Sequence, residues 1–323
     1  MFESNQVDRQ VLARAFDAMG VTPEVTFYLL PGNHDPLDAA SIYTSNSFRE
    51  RRPANVVVLD GIEPIEAADG VELLAAPWTS KRPLADLVNR AVELTDPSDA
   101  LRVVIGHGAL DSRSPDARDP ALISLSHLEE RVSAGEIHYV ALGDRHSTTE
   151  EGNTRRIWYS GAPEPTDYDE VDPGKVLLVD LDADECVVEP RRVGTWAFEL
   201  VDQRLSSDAD IDTLHSTIDA VTDKERTVLK LALVGQITLM QSGRLDSTTT
   251  NPAWPRQLSS PPRPATNAVA RSRPQSLWRA ISRRGNVNSM MPTETASTCA
   301  RSLRPANSPS VTSACSPRRN SLI

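Results

Sequence analysis

Residues 28–35 read YLLPGNHD, an apolar run that stops at Pro-Gly and is followed at once by an amide, an imidazole and a carboxylate. The same form returns at residues 101–107, LRVVIGH, and at residues 137–146, IHYVALGDRH. Short apolar runs that end at such turns are typical of buried β-strands. Because the carboxyl ends of the strands in an open α/β sheet line its ligand crevice, we expect the three polar turns to lie in one place.

Strands and amphipathic helices alternate along the chain, which predicts a layered α/β domain. We predict this domain over residues 1–202, part of a small second domain over residues 203–247, and a tail over residues 248–323. The predicted helices cover residues 7–19, 84–94, 121–132 and 208–222, and the predicted strands cover residues 25–30, 56–59, 71–76, 101–105, 137–142, 156–160, 175–182, 186–191, 196–201 and 228–234.

Charge is divided unevenly along the chain. Residues 1–240 hold 22 Lys and Arg against 43 Asp and Glu, whereas residues 241–323 hold 12 Arg, no Lys and two acidic residues. The acidic body argues against a protein that coats nucleic acid by charge alone, because that mode of binding needs a basic surface. It does not argue against a metal enzyme, since bound divalent cations are often the largest charges in a site.

The tail, residues 248–323, consists mainly of Ser, Thr, Pro, Ala, Asn and Arg and has no hydrophobic periodicity. Such a segment buries too little apolar surface to offset the entropy of ordering, so we expect a disordered, basic tail of low complexity. One interpretation is contact with nucleic acid. The preferred interpretation is that the tail is encoded by a shifted reading frame. The 30 Arg against 4 Lys in the chain indicate a GC-rich gene, in which a shifted frame would yield this composition. An intact reading frame at the locus would contradict this interpretation.

Cysteine usage and hydropathy predict a cytoplasmic protein. Cys186, Cys299 and Cys315 show neither metal-ligand spacing nor an even count, which favours a reducing compartment. No apolar run approaches the roughly 18 residues of a membrane span, and no basic segment followed by an apolar one opens the chain. We therefore expect neither a membrane span nor a signal peptide.

The side chains of the three turns suit a divalent metal ion. Imidazole, carboxylate and amide oxygen bind cations such as manganese, zinc or iron, and the absence of a thiolate partner argues against a structural zinc site. Two such ions about 3.5–4 Å apart can hold an attacking hydroxide and a phosphate oxygen during displacement at phosphorus. A single Gly-His is more often an ordinary turn, but three such turns in order favour a metal site.

The motifs GNHD at residues 32–35, GH at residues 106–107 and GDRH at residues 143–146 resemble the later motifs of the calcineurin-like metallophosphoesterases. The segments APW at residues 76–78 and WYSGAPEPTD at residues 158–167 narrow the resemblance to the SbcD-like DNA repair exonucleases. The resemblance covers roughly the first 247 residues. The resemblance implies a four-layer α/β/β/α sandwich that holds two divalent ions, for which it implies Mn²⁺. It also implies that the start of a small capping domain follows the sandwich.

The resemblance also implies a set of metal ligands. Asn33, His107 and Asp144 would serve one ion, and His146 would serve the other. Asp144 departs from the commoner pattern of the family, which has histidine there. A carboxylate still binds such metals, so the departure is interpreted as a subfamily variation.

Further roles follow from the same resemblance. His34 would protonate the leaving oxygen or stabilise the transition state, and Asp35 would orient it, because such a histidine needs a partner that fixes its tautomer. Arg145 would meet a phosphate of the substrate, or else face solvent. Tyr159 would line the substrate groove.

Two earlier motifs of the family, an Asp-x-His turn and a Gly-Asp turn whose aspartate bridges both ions, have no counterpart in the sequence. Residues 1–4, MFES, resemble the residues that follow that Gly-Asp. Asp8 and Asp17 fall on the first helical pattern and do not substitute. We therefore expect a domain that is incomplete at its N-terminus, with at most one weakly bound divalent ion and little nuclease activity. Robust manganese-dependent cleavage of DNA by the 323-residue chain would contradict this expectation.

These observations predict a metal-dependent phosphodiesterase that trims DNA ends with an SbcC-type ATPase subunit as partner, in the cytoplasm, and as a homodimer. Two alternatives remain open. The first is a phosphoesterase that acts on small phosphoesters or nucleotides. The second is an inactive truncated product, or a scaffold that keeps only partner binding.

Overall fold

The computed structural model describes residues 1–249 and 320–322. Most of the predicted tail therefore lies outside the described residues, and a short strand at residues 320–322 departs from the prediction of disorder where the tail is described. The elements in chain order are α1 (Arg9–Gly20), β1 (Phe27–Leu29), a 3₁₀ turn (Ile42–Thr44), α2 (Asn46–Arg51), β2 (Val56–Val58), β3 (Ile65–Ala68), β4 (Val71–Ala75), α3 (Leu87–Glu93), β5 (Leu101–His107), α4 (Leu125–Ser133), β6 (Tyr139–Gly143), β7 (Thr149–Glu151), β8 (Ile157–Tyr159), β9 (Lys175–Leu181), β10 (Cys186–Arg192), β11 (Ala197–Leu205), α5 (Asp208–Ala220), β12 (Thr227–Gly235), α6 (Leu239–Thr249) and β13 (Asn320–Leu322).

The described chain divides into two compact units. The larger one comprises residues 1–163, 171–194 and 320–322, and the smaller one comprises residues 164–170 and 195–249. The smaller unit holds the parallel pair β11 and β12, on which α5 packs through Ile211, Leu214 and Ile218. Its main segment begins after Gly194, eight residues before the boundary that the sequence predicts.

A six-stranded mixed sheet forms the centre of the larger unit, with the strand order β3-β4-β5-β6-β8-β7. The four inner strands are parallel, and the two edge strands run antiparallel to their neighbours. Both faces of this sheet are covered, which is why its strands read as nearly continuous apolar runs in the sequence. The predicted α/β class is thereby confirmed.

Different layers cover the two faces of the central sheet. Leu74 of β4 faces a cluster that α3 and α4 complete, whereas its neighbour Leu73 faces a cluster that includes Leu177 and Val179 of β9. Strand β9 pairs antiparallel with β10 and with β13, and β1 pairs in parallel with β2. Among the described residues, no helix has the length and apolar character needed to cross a bilayer.

A third cluster joins α1 and α2 to strands β1 and β2. Its centre is an aromatic group in which the Phe48 ring meets the rings of Phe16 and Tyr43 edge to face, with centroid distances of 5.0 Å and 5.3 Å. Phe48 is 1 % exposed. This group therefore sets the position of Tyr43, whose hydroxyl matters for the site described below.

The Phe48→Ala variant should lose about 3–5 kcal/mol of unfolding free energy, because it removes a ring from a packed cluster that cannot collapse around the gap. Urea unfolding followed by circular dichroism measures this loss. Leu84→Ala is the matched control, since Leu84 is 86 % exposed and should change stability by less than about 0.5 kcal/mol. Equal losses in the two variants would contradict the packing role of Phe48.

His138 lies at the start of β6, where its Nδ1 accepts a hydrogen bond from the Arg102 N–H at 3.1 Å. Burial lowers the pKa of His138, and the nearby Arg156 and Arg102 guanidinium groups lower it further. The folded state therefore prefers the neutral imidazole. The contribution of the neutral His138 imidazole to stability is complete above the ordinary histidine pKa of about 6.5. It is lost as the pH falls through the lower pKa that His138 has in the folded state.

The His138→Gln variant should consequently lose less stability than the wild type between pH 7.5 and pH 5. Urea unfolding at both pH values measures the two losses. The prediction is wrong if the variant and the wild type lose the same amount.

Candidate active site

His107 ends β5 and lies at the centre of the candidate site. Its register partner on β6 is Gly143, so the residue after that partner, Asp144, reaches the same edge of the sheet. His107 Nε2 lies 3.0 Å from Asn33 Oδ1 and 3.6 Å from Asp144 Oδ1. Asn33 Nδ2 donates to Asp144 Oδ1 at 3.2 Å. The structure thus brings together three of the four predicted ligands, from turns 111 residues apart in the chain.

Two glycines make the space that the His107 imidazole fills. A Cβ atom at Gly32 would lie 2.9 Å from His107 Cε1, and a Cβ atom at Gly143 would lie 2.8 Å from His107 Nδ1. Contacts this short do not occur between real side chains. The glycine before each polar pair is therefore required by the imidazole, which explains why glycine precedes the polar residues in both turns.

Asp144 has a backbone conformation that L-residues rarely adopt, with φ at 101°. A non-glycine residue in such a region costs on the order of 1–3 kcal/mol and is usually found where it serves a functional site. Here the conformation follows the last residue of β6 and places the carboxylate beside His107 and Asn33. The strain thus coincides with the contact that assembles the site.

The His107 imidazole is mostly buried, and burial lowers its pKa, although the Asp144 carboxylate acts in the opposite direction. The net direction is downward, so the ring is neutral at physiological pH. A neutral imidazole nitrogen is the form that binds a metal ion.

The donor set fits a divalent ion. Ligands about 2.1 Å from an ion are about 3.0 Å apart at right angles and about 3.4 Å apart in a tetrahedron. The two measured separations from His107 Nε2, 3.0 Å to Asn33 Oδ1 and 3.6 Å to Asp144 Oδ1, agree with these edges. One imidazole nitrogen and two oxygens suit manganese, zinc or iron.

His34 lies beside this set with a side chain that is 56 % exposed. Its Nδ1 is 3.2 Å from the Glu3 carbonyl oxygen. Because a carbonyl oxygen only accepts hydrogen bonds, the ring hydrogen in this contact is on Nδ1. The other nitrogen, Nε2, is left available to contact a ligand. The contact that orients His34 in the structure is therefore with the backbone of Glu3, whereas the sequence analysis gives that task to Asp35.

Asp35 has other partners and is buried, at 1 % exposure. Its carboxylate accepts hydrogen bonds from the Met1 amino group at 2.7 Å, the Phe2 N–H at 2.7 Å, the Gly32 N–H at 2.9 Å and the Tyr43 hydroxyl at 2.6 Å. Burial alone would raise the pKa of Asp35, but the ammonium group and these hydrogen bonds outweigh it and lower the pKa. Asp35 thus fixes the loop that carries Asn33 rather than the ring of His34.

The other predicted site residues lie on or near the β6 end of the sheet. His146 and Arg145 are exposed, and Arg145 Nε donates to Thr149 Oγ1 at 2.8 Å. Tyr159 is 2 % exposed, and its hydroxyl donates to the Gly108 carbonyl and accepts from the Leu110 N–H. Burial raises its pKa to about 12. In the described structure Tyr159 is a packing residue, which differs from the predicted groove contact.

Two residues that support the site are missed or undervalued by sequence reasoning. Tyr43 donates to Asp35 from within the aromatic group, and no sequence motif marks it. Trp78 enters the sequence analysis only as part of the APW segment, yet it contacts two of the three polar turns. Its sequence signal is the APW segment, which directly follows β4 and so forms a fourth strand end at this edge.

Across the described ranges, no group of three or more His, Cys, Asp or Glu side chains is placed to hold a metal ion, and the set above reaches three donors only with the Asn33 amide. Comparison with protein-family models and with curated proteins finds no match to this chain.

Proposed function

We propose that the chain carries the active site of a metal-dependent phosphodiesterase of the SbcD-like kind, which hydrolyses phosphodiester bonds in DNA. The observation that carries the proposal is the convergence of Asn33, His107 and Asp144. His107 ends β5 and Asp144 follows the neighbouring strand β6, whereas Asn33 lies in the loop after β1, which belongs to a separate two-stranded sheet. An imidazole, an amide oxygen and a carboxylate in contact form the kind of donor set that holds a catalytic divalent ion.

The layers of the larger unit support the same proposal. One face of the six-stranded sheet packs on α3 and α4, and the other packs on β9. A separate cluster joins β1 and β2 to α1 and α2. We propose that these packed layers together form the four-layer sandwich that the sequence resemblance implies.

Asn33, His107 and Asp144 would hold the ion, for which we propose Mn²⁺. A bound divalent ion polarises a phosphoryl oxygen and lowers the pKa of water. The Glu3 carbonyl would hold the Nδ1 hydrogen of His34, and the protonated imidazolium form of His34 would donate its second proton, on Nε2, to the leaving oxygen. The exposure of His34 allows this nitrogen to reach a bound phosphodiester.

The first test measures Mn²⁺ binding by electron paramagnetic resonance of the free ion. We expect binding by the 323-residue chain, and weaker binding by Asn33→Ala. Asn89→Ala is the matched control, because Asn89 is a buried amide that bonds to Asp86 and Ser124 instead. The absence of Mn²⁺ binding by the wild type, or equal binding by both variants, would overturn the proposal.

The second test separates the substrate classes. We compare the manganese-dependent hydrolysis rates of the wild type with those of the His34→Ala variant, which give the background. The two substrates are linear duplex DNA and bis(p-nitrophenyl) phosphate. We expect slow hydrolysis, because the two earlier metal-binding motifs of the family have no counterpart in the sequence, and a larger excess over this background with DNA than with the ester. An excess with the chromogenic ester alone would overturn the assignment to DNA and favour a phosphoesterase of small substrates.

A further inference from the structure

Trp78 lies at the same edge of the sheet as His107. Strand β4 pairs in parallel with β5, with Ala75 opposite Ile105, and the Ala76 N–H continues the pairing by donating to the Ile105 carbonyl at 2.9 Å. Trp78 follows Ala75 by three residues, and His107 follows Ile105 by two. Continued along the chain, the parallel register brings Trp78 level with Gly108, the residue after His107.

The backbone of Trp78 binds both ends of the loop that carries Asn33. The Trp78 N–H donates to the Pro31 carbonyl at 3.1 Å, and the Trp78 carbonyl accepts from the Leu37 N–H at 2.8 Å. Pro31 and Leu37 flank the five residues from Gly32 to Pro36. These two hydrogen bonds therefore attach both ends of that loop to the backbone of Trp78.

The indole of Trp78 binds the second turn. Its Nε1–H donates to the His107 carbonyl at 2.7 Å, and its ring meets the imidazole edge to face, with centroids 5.5 Å apart and planes at 89°. Gly108 packs under the indole, since a Cβ atom there would lie 3.4 Å from Trp78 Cζ2. The Gly108 N–H in turn donates to the Gly143 carbonyl at 3.2 Å, which ties the second turn to the third.

We propose that Trp78 is a positioning residue that holds the His107 turn against the Asn33 loop, so that the imidazole and the amide oxygen face one ligand position. It touches neither Nε2 of His107 nor Oδ1 of Asn33 in any described contact, and acts through their backbone and through the imidazole ring. Partners of this kind around a metal ligand set its orientation, and their loss typically costs about 10–100-fold in metal affinity. The metal part of this inference rests on the proposed function.

A packing role alone would make a different prediction. Removing a packing residue lowers the fraction of folded molecules but leaves the affinity of each folded molecule unchanged. A positioning residue changes the affinity and the environment of the His107 ring in molecules that remain folded. The experiment therefore measures affinity, ring environment and stability separately.

The test compares Trp78→Phe with Trp158→Phe in the full 323-residue chain. Trp158 is a matched control, because its indole N–H also donates to a backbone carbonyl, that of Arg155 at 3.0 Å, at a place away from the three turns. Mn²⁺ affinity is measured by electron paramagnetic resonance. The imidazole nitrogen shifts of His107 are measured by NMR without metal on ¹⁵N-histidine-labelled protein, and stability is measured by urea unfolding.

We expect Trp78→Phe to bind Mn²⁺ about 10–100-fold more weakly than the wild type and to shift the His107 nitrogen resonances, while Trp158→Phe changes neither. Unchanged affinity and unchanged His107 resonances in folded Trp78→Phe would overturn the proposal. If the wild type itself binds no Mn²⁺, the proposed function fails, and the His107 resonances alone decide the role of Trp78.

A second variant covers the case in which Trp78→Phe does not fold. Replacement of Trp78 by β-(3-benzothienyl)alanine keeps the shape of the ring and removes only the N–H donor to His107. The same shift of the His107 resonances is expected, and its absence would overturn the proposal.

Discussion

Replacing His107 by alanine should lower the affinity of the chain for Mn²⁺ by more than about 100-fold, because even the loss of an outer partner of a metal ligand costs about 10–100-fold. His107 Nε2 contacts both other donors of the set, Asn33 and Asp144, so its removal takes away the donor that they share. Isothermal titration or electron paramagnetic resonance measures the affinity, and circular dichroism confirms that the variant is folded.

His127→Ala is the control for this variant. His127 lies on α4, where its ring is 3.7 Å from the Glu93 carboxylate and part of it is exposed. We expect its Mn²⁺ affinity to equal that of the wild type. A folded His107→Ala variant that binds Mn²⁺ as well as His127→Ala does would show that the assigned ligand is wrong.

Gly143→Ala should have an effect of similar size without removing any donor atom. The added Cβ atom would lie 2.8 Å from His107 Nδ1, so the imidazole has to move away from the position in which Nε2 faces Asn33 and Asp144. We expect the Mn²⁺ affinity to fall by about 10–100-fold, the range found when the orientation of a metal ligand is lost. The same titration measures it.

Gly243→Ala is the matched control for this substitution. Gly243 lies in α6 with nothing within 4 Å of an added Cβ atom, and alanine there should leave metal binding unchanged and stabilise the helix by up to about 1 kcal/mol. If Gly143→Ala also binds Mn²⁺ normally, then Gly143 does not shape the space around the His107 ring.

The local order of residues made the strands and the candidate site predictable to a large extent. Apolar runs that end in glycine predict β1, β5 and β6, because a strand buried on both faces has no polar alternation and needs a turn residue at its end. The rule that parallel strands present their carboxyl ends at one edge predicts that His107 and Asp144 lie together, because β5 and β6 are neighbours in one sheet. The rule does not account for Asn33, because β1 pairs with β2 in a separate two-stranded sheet, so the tertiary structure decided that Asn33 meets His107.

The same local order does not reveal several contacts of the site. The resemblance implies that Asp35 orients His34, and that role stays a prediction. Asp35 accepts hydrogen bonds from the Gly32 N–H and from Tyr43. Tyr159 is the last residue of β8, and its hydroxyl is satisfied by the backbone of the His107 turn, 51 residues away.

The sequence by itself determined the α/β class, the three polar turns and the chemistry of their side chains, because these follow from short-range periodicity and residue type. Only the tertiary structure decided which atoms meet: the imidazole between two glycines, the carboxylate at a strained φ, and the indole of Trp78 across two turns. Those contacts join residues far apart in the chain, and they depend on strand register and on side-chain direction, which no local pattern specifies.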